Sequence, residues 1–230
     1  MKKIISILFL FLLCYACYYI YNKTEDNKLY ISLIGDNLVI NPYIKPNNSI
    51  STINKDFANK DYHINDLLNI IKYNQEISLN NKTESIHQLL KKSDIIILSI
   101  GMNDIHYKLN DNTKEIYTYL NNIINNYELI LKEISKYDYQ DVYIFNYYNT
   151  TNKYNDIFTY INFKLKKLTN EYNYTYIDLY NILNNKPNYY INMPNFTPNN
   201  AGYYEIYKLI VEKLKKYWYN IKCIYYYDLY

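Results

Sequence analysis

Three short segments hold the residues whose types and spacing bear on chemistry: Gly35-Asp36-Asn37, Gly101-Met102-Asn103-Asp104 and Phe196-Thr197-Pro198. The first two close short apolar runs, Tyr30–Ile34 and Ile95–Ile100. A Gly-Asp turn at the end of a buried strand is a place to hold a nucleophile, but the residue that follows is Asn37. A neutral carboxamide has no lone pair comparable with that of an activated hydroxyl, so Asn37 is not a drop-in nucleophile. Asn103 carries a side-chain amide able to donate hydrogen bonds. Such a donor is worth on the order of 10²–10³ in rate when nucleophile and base accompany it, and gives only binding when they do not. Thr197 has a hydroxyl too weakly basic to act as a general base near neutral pH. Each segment also has a plain structural reading: Gly35-Asp36-Asn37 as a strand-to-helix turn, and Thr197-Pro198 as a helix N-cap with proline at the first helical position.

The histidines are His63, His87 and His106. His87 falls on the polar side of an amphipathic pattern and is expected to face solvent. His63 and His106 flank the segments above and are the candidate substitute bases. No serine sits in a sharp Gly-x-Ser-x-Gly elbow, and Ser32 and Ser99 read as strand residues. Asp36 and Asp104 form at most a carboxylate pair, too few ligands for a metal, so neither a metal nor a cofactor is expected.

In order and spacing, these segments resemble the blocks of the SGNH or GDSL-type esterase and lipase family. In that family the first block reads Gly-Asp-Ser, and the serine position here is Asn37. The second block supplies a glycine amide to the oxyanion; its nearest match, Asp56-Phe57-Ala58-Asn59-Lys60-Asp61-Tyr62, puts Asp61 at the glycine position. The third block, Gly-x-Asn-Asp, is intact as Gly101-Met102-Asn103-Asp104, and the resemblance implies that Asn103 is a side-chain donor to a ligand oxygen. The fifth, Asp-x-x-His-Pro, corresponds to Pro194-Asn195-Phe196-Thr197-Pro198, with Thr197 in place of the base and Pro194 in place of its carboxylate. The resemblance spans about residues 29 to 218. It implies an esterase scaffold without serine, histidine and aspartate, hence a protein that binds an acylated or carbohydrate ligand of the cell envelope. An acyl or acetyl ester hydrolase working through His63 or His106, and a purely structural surface protein, are the alternatives.

Positioning these segments requires alternating strands and helices. Apolar runs at Leu29–Ile34, Asp94–Ile100, Asp141–Asn146 and Tyr174–Ile177 predict buried strands. Helical periodicity covers Ile64–Asn74, Lys82–Lys92, Lys114–Ser135 and Asn155–Glu171. A last helix follows Thr197-Pro198, with Ile206, Leu209, Ile210, Leu214 and Trp218 in one stripe. The pattern predicts a three-layer α/β/α fold with a mostly parallel central sheet, flavodoxin-like, whose ligands lie beyond the carboxyl ends of the strands.

The chain has 230 residues, enough for one well-cored domain, read as residues 29–219. Before it, Lys2-Lys3 and the uncharged run Ile4–Tyr21 form a positive flank and an 18-residue apolar segment. As a helix that segment reaches roughly 27 Å, enough for a thin bilayer. Residues 1–21 are read as a signal anchor with a cytoplasmic N-terminus, 22–28 as a linker, and the domain as extracytoplasmic. A lipoprotein anchored at Cys17 and a secreted form are the alternatives. Residues 220–230 form a tyrosine-rich tail. The 25 basic residues, all lysine, against 22 acidic ones leave a net charge of +3. Without arginine or a basic surplus on the domain, nucleic-acid binding is not expected. The 34 tyrosines reflect a compositional bias, so single tyrosines carry little functional weight.

Overall fold

The structure is a computed structural model, described here for residues 29–40, 52–79, 82–111, 115–139, 141–191 and 197–217. The apolar segment Ile4–Tyr21, the linker, Pro194, Trp218 and the tail lie outside them. Among the described residues no helix is long and apolar enough to cross a membrane.

The elements run β1 (Leu29–Gly35), α1 (Asn37–Ile40), β2 (Thr52–Ala58), α2 (Ile64–Lys72), β3 (Glu76–Leu79), β4 (Lys82–Ser85), α3 (Ile86–Lys92), β5 (Ile95–Ser99), α4 (Met102–Asp111), α5 (Ile116–Ile134), β6 (Asp141–Phe145), α6 (Asn155–Glu171), β7 (Thr175–Ile177), α7 (Tyr180–Leu183) and α8 (Asn200–Leu214). Five strands make one parallel sheet in the order β2-β1-β5-β6-β7, and β3 and β4 form a separate antiparallel pair.

The β5 run explains the layering. Ile96 and Leu98 face one core with Ile34, Phe57, Val142 and Ile144, covered by α2, α3, α5 and α6. Ile95 and Ile97 face a second core with Ile31, Leu33, Tyr143, Phe145 and Ile177, covered by α7 and α8. A strand buried on both faces has no need of polar alternation, which is why β5 reads as an unbroken apolar run. On α5, Leu120, Ile123, Tyr127, Ile130, Leu131 and Ile134 supply the apolar stripe. The result is the expected three-layer α/β/α arrangement.

Several local elements depart from the sequence reading, which contains neither β3 nor α4. The edge strand β2, with Lys55 and Asp56 inside it, pairs on one side only and has no apolar run to mark it. Residues 82–85 are strand rather than helix, because they pair with β3. Helix α3 starts after Ser85, whose side chain accepts from the Gln88 amide at 3.3 Å while Gln88 Oε1 accepts from the Ser85 amide at 3.1 Å. Thr197 does not cap α8. Pro198 bridges to Tyr190, and the cap is Asn199, whose side chain accepts from the Gly202 amide at 3.1 Å and donates to the Asn188 carbonyl at 2.8 Å.

The chain reverses its direction of sheet growth between β1 and β5, and their carboxyl ends meet closely. Gly35 is paired with Ser99, and the Asp36 amide donates to the Ser99 carbonyl at 2.8 Å. Gly35 has φ +136°, and a Cβ there would lie 1.6 Å from the Ser99 carbonyl oxygen. Only glycine fits, because both the backbone angle and the approach exclude a side chain. Gly35→Ala is expected to lower stability by about 3–5 kcal/mol through strain and overpacking, measured by urea denaturation. A loss below about 1 kcal/mol would show that the two strand ends separate easily.

A pocket at the carboxyl edge of the sheet

The turns after β1, β5 and β6 and the segment before α8 enclose a pocket of about 130 Å³. Its lining includes Asp36 and Asn37 from the first turn, Ser99, Met102, Asn103 and His106 from the second, Asn146 to Tyr148 from the third, and Thr197, Pro198 and Tyr203. This is the topological switch point of the sheet, where ligands of open α/β folds bind. Residues from three distant segments, Asn37, Asn103 and Thr197, therefore share one wall. Asn37 Nδ2 faces Thr197 Oγ1 at 3.5 Å, at the outer limit of a hydrogen bond.

Asp36 forms the floor. It is 2% exposed, and its Oδ1 accepts from Ser99 Oγ at 3.0 Å and from the Leu38 amide at 3.3 Å. Its Oδ2 is buried with no hydrogen-bond partner among the described residues. Burial pushes its pKa up to about 6, against the pull of the Ser99 hydroxyl and the Leu38 and Met102 amides, and nearby Asp104 adds to the rise. No lysine is among the lining residues.

Asn103 lines the pocket, but both of its N–H groups are engaged elsewhere. Nδ2 donates to the Lys60 and Tyr62 carbonyls, each at 2.8 Å, and so fastens the loop between β2 and α2. In this arrangement neither N–H group of Asn103 is free for the expected role as donor to a ligand oxygen. Asn146 is similarly satisfied, with Nδ2 donating to Tyr176 Oη at 2.7 Å and to Asp178 Oδ1 at 2.9 Å. Its Oδ1 accepts from the Leu179 and Tyr180 amides. Gly101, at φ +103°, turns the chain over the Tyr147 ring, and Tyr147 Oη donates to the Ile100 carbonyl at 2.9 Å.

The remaining candidates fall elsewhere. Asp61 is exposed and outside the lining, its amide donating to Asn59 Oδ1 at 3.0 Å. The first residue off β2 is Asn59, and it is the Asn59 amide that binds the Gly35 carbonyl, at 3.0 Å. His63 is also outside. Its Nδ1 lies 3.3 Å from Asp104 Oδ1, whose other oxygen accepts from the Ile64 amide at 2.9 Å, so this pair anchors the start of α2. Burial raises the Asp104 pKa, with the Ile64 amide and His63 opposing. His106 does line the pocket, but burial pushes its pKa down to about 3, leaving a neutral and weakly basic ring. His87 is half-buried rather than solvent-facing, with Nε2 2.8 Å from the Ile71 carbonyl. Among the described residues no group of three or more His, Cys, Asp or Glu is placed to hold a metal.

In the sequence Ser99 reads as a strand residue and the tyrosines as compositional bias, yet Ser99, Tyr147, Tyr148 and Tyr203 line the pocket. The signal that marks Ser99 and Asn146 is their place at the carboxyl ends of central parallel strands.

No family model matches the chain, and no curated protein matches it. Solved structures do. A lipase from a goat rumen metagenome, Lip_vut3, superposes with a TM-score of 0.65 at 17% identity, covering 80% of this chain and 97% of the lipase. The acetylxylan esterase Axe2 from Geobacillus stearothermophilus gives 0.60 at 13% identity, over 81% and 94%. The acetyl xylan esterase AlAXEase gives 0.59 at 12%, over 81% and 100%. At these identities the likeness is one of fold: the chain has the fold of this lipase and of these acetylxylan esterases.

The Asp36 environment sets a pH dependence. Its folded pKa of about 6 lies above the ordinary 3.8, so it contributes most to stability below about pH 4, and that contribution is lost as pH rises through 6. Asp36→Asn removes the titration. Relative to the wild type, the variant is expected to gain on the order of 3 kcal/mol between pH 4 and pH 7.5, measured by urea denaturation at both. A difference that does not change with pH would place the carboxyl in contact with solvent.

Proposed function

We propose that this chain uses the SGNH/GDSL-like fold as an extracytoplasmic, membrane-anchored binding protein that turns over no ester. The carrying observation is the Asn37–Thr197 pair. The two positions that resemble those of nucleophile and base meet across the pocket at 3.5 Å, and neither side chain can attack a carbonyl or take a proton at neutral pH. The Asn103 amide, engaged with Lys60 and Tyr62, adds to this reading, since no side-chain donor from that position faces a developing oxyanion. The fold neighbours, named as a lipase and as acetylxylan esterases, support an acylated or carbohydrate ligand. Lys2-Lys3 and the apolar run Ile4–Tyr21 support the anchor and the envelope location.

A hydrolase working through His106 is less well supported, because a ring with a pKa near 3 is a poor base at neutral pH. His63 is held by Asp104 away from the pocket lining. The protein is expected to hydrolyse p-nitrophenyl acetate at the rate of buffer alone, with Asn37→Ala, Thr197→Ala and His106→Ala all indistinguishable from it. Turnover well above buffer, abolished by any one of these substitutions, would refute the proposal.

A further inference from the structure

An esterase pocket of this fold takes an acyl oxygen, so it must offer hydrogen-bond donors. Four of the side-chain donors here are turned away, and Asn37 Nδ2 reaches only Thr197 Oγ1, at 3.5 Å. Both N–H groups of Asn103 serve the Lys60 and Tyr62 carbonyls, and both of Asn146 serve Tyr176 and Asp178. The Ser99 hydroxyl donates to Asp36, and the Tyr147 hydroxyl to the Ile100 carbonyl. Against them stands the Asp36 carboxyl, a lining group whose Oδ2 is enclosed at the floor with no hydrogen-bond partner among the described residues. The tyrosines 147, 148 and 203 complete the wall, no lysine neutralises the carboxyl, and the space is about 130 Å³.

We infer that this pocket recognises a ligand through a primary ammonium group, seated against Asp36 Oδ2 and walled by tyrosines, and not through an acyl oxygen. A buried carboxylate without a partner is costly, and a ligand cation that supplies both charge and N–H donors relieves that cost. The tyrosine side chains suit the same cation, because an aromatic face attracts ammonium. The inference rests on the binding reading above, and narrows its envelope ligand to an amine-bearing one such as an amino sugar.

Glucosamine and N-acetylglucosamine differ in whether the same nitrogen is an amine or carries an acyl group, and ethylammonium isolates the cation. With the full-length protein at pH 7.5, glucosamine and ethylammonium are expected to raise the melting temperature in a concentration-dependent way, and N-acetylglucosamine to leave it unchanged. Asp36→Asn is expected to weaken the apparent affinity about tenfold or more. Asn37→Lys, which leaves Asp36 in place and tethers an ammonium beside it, is expected to do the same by occupying the site. A shift with N-acetylglucosamine but not with glucosamine, no shift with either ammonium compound, or affinity unaltered in both variants would overturn the inference. The p-nitrophenyl acetate assay on the same samples judges the parent reading separately, since ester turnover defeats it whatever the amines do.

Discussion

The closest constraint in this molecule is the meeting of β1 and β5 at their carboxyl ends. With Gly35 against the Ser99 carbonyl and the Asp36 amide bonded to that oxygen, the two central strands of the sheet are fixed at the point where the chain changes its direction of sheet growth. Ser99 Oγ then donates to Asp36, which ties the side chains of the same two residues together. Everything that lines the pocket hangs from this junction: α1 begins at Asn37, α4 begins at Met102, and the Asn59 amide attaches the β2 end to Gly35. A parallel sheet buried on both faces makes that junction rigid, because sliding either strand would move apolar side chains in two cores at once.

That rigidity makes the polarity of the site meaningful. Side-chain amides often turn to suit a ligand, but here Asn103 and Asn146 are each held by two donated hydrogen bonds, to backbone and to half-buried side chains. At the floor, Asp36 Oδ2 has no such commitment. A lysine-free cavity with a carboxyl at its floor and tyrosines in its lining offers a ligand different chemistry from a donor-rich one, even within an esterase-like fold.

Much of the framework was legible in the residues. The central strands announced themselves as apolar runs because both faces are buried, and α5 and α6 as long periodic patterns whose limits fall close to those expected. The edge strand β2 escaped notice because a one-sided strand tolerates Lys55 and Asp56. The β4 segment was taken into α3 because a four-residue strand has too few positions to show a period. At the site, Asn37, Asn103 and Thr197 could be picked out from three short motifs, and they line one cavity. Hydrogen-bond direction could not be read that way. Whether Asn103 points its N–H groups at a ligand or at Lys60 depends on a loop some 40 residues away in the chain, and no local pattern records that choice.

The loop clamp made by Asn103 also joins two parts of the pocket rim. Asn103 sits in the first turn of α4, and its Nδ2 carries the carbonyls of Lys60 and Tyr62, so one side chain holds the segment between β2 and α2 against the helix that follows β5. Shortening it would leave two carbonyls without their donor and set that segment loose from α4. The edge of the cavity on this side thus moves, or stays put, as a unit governed by a single residue.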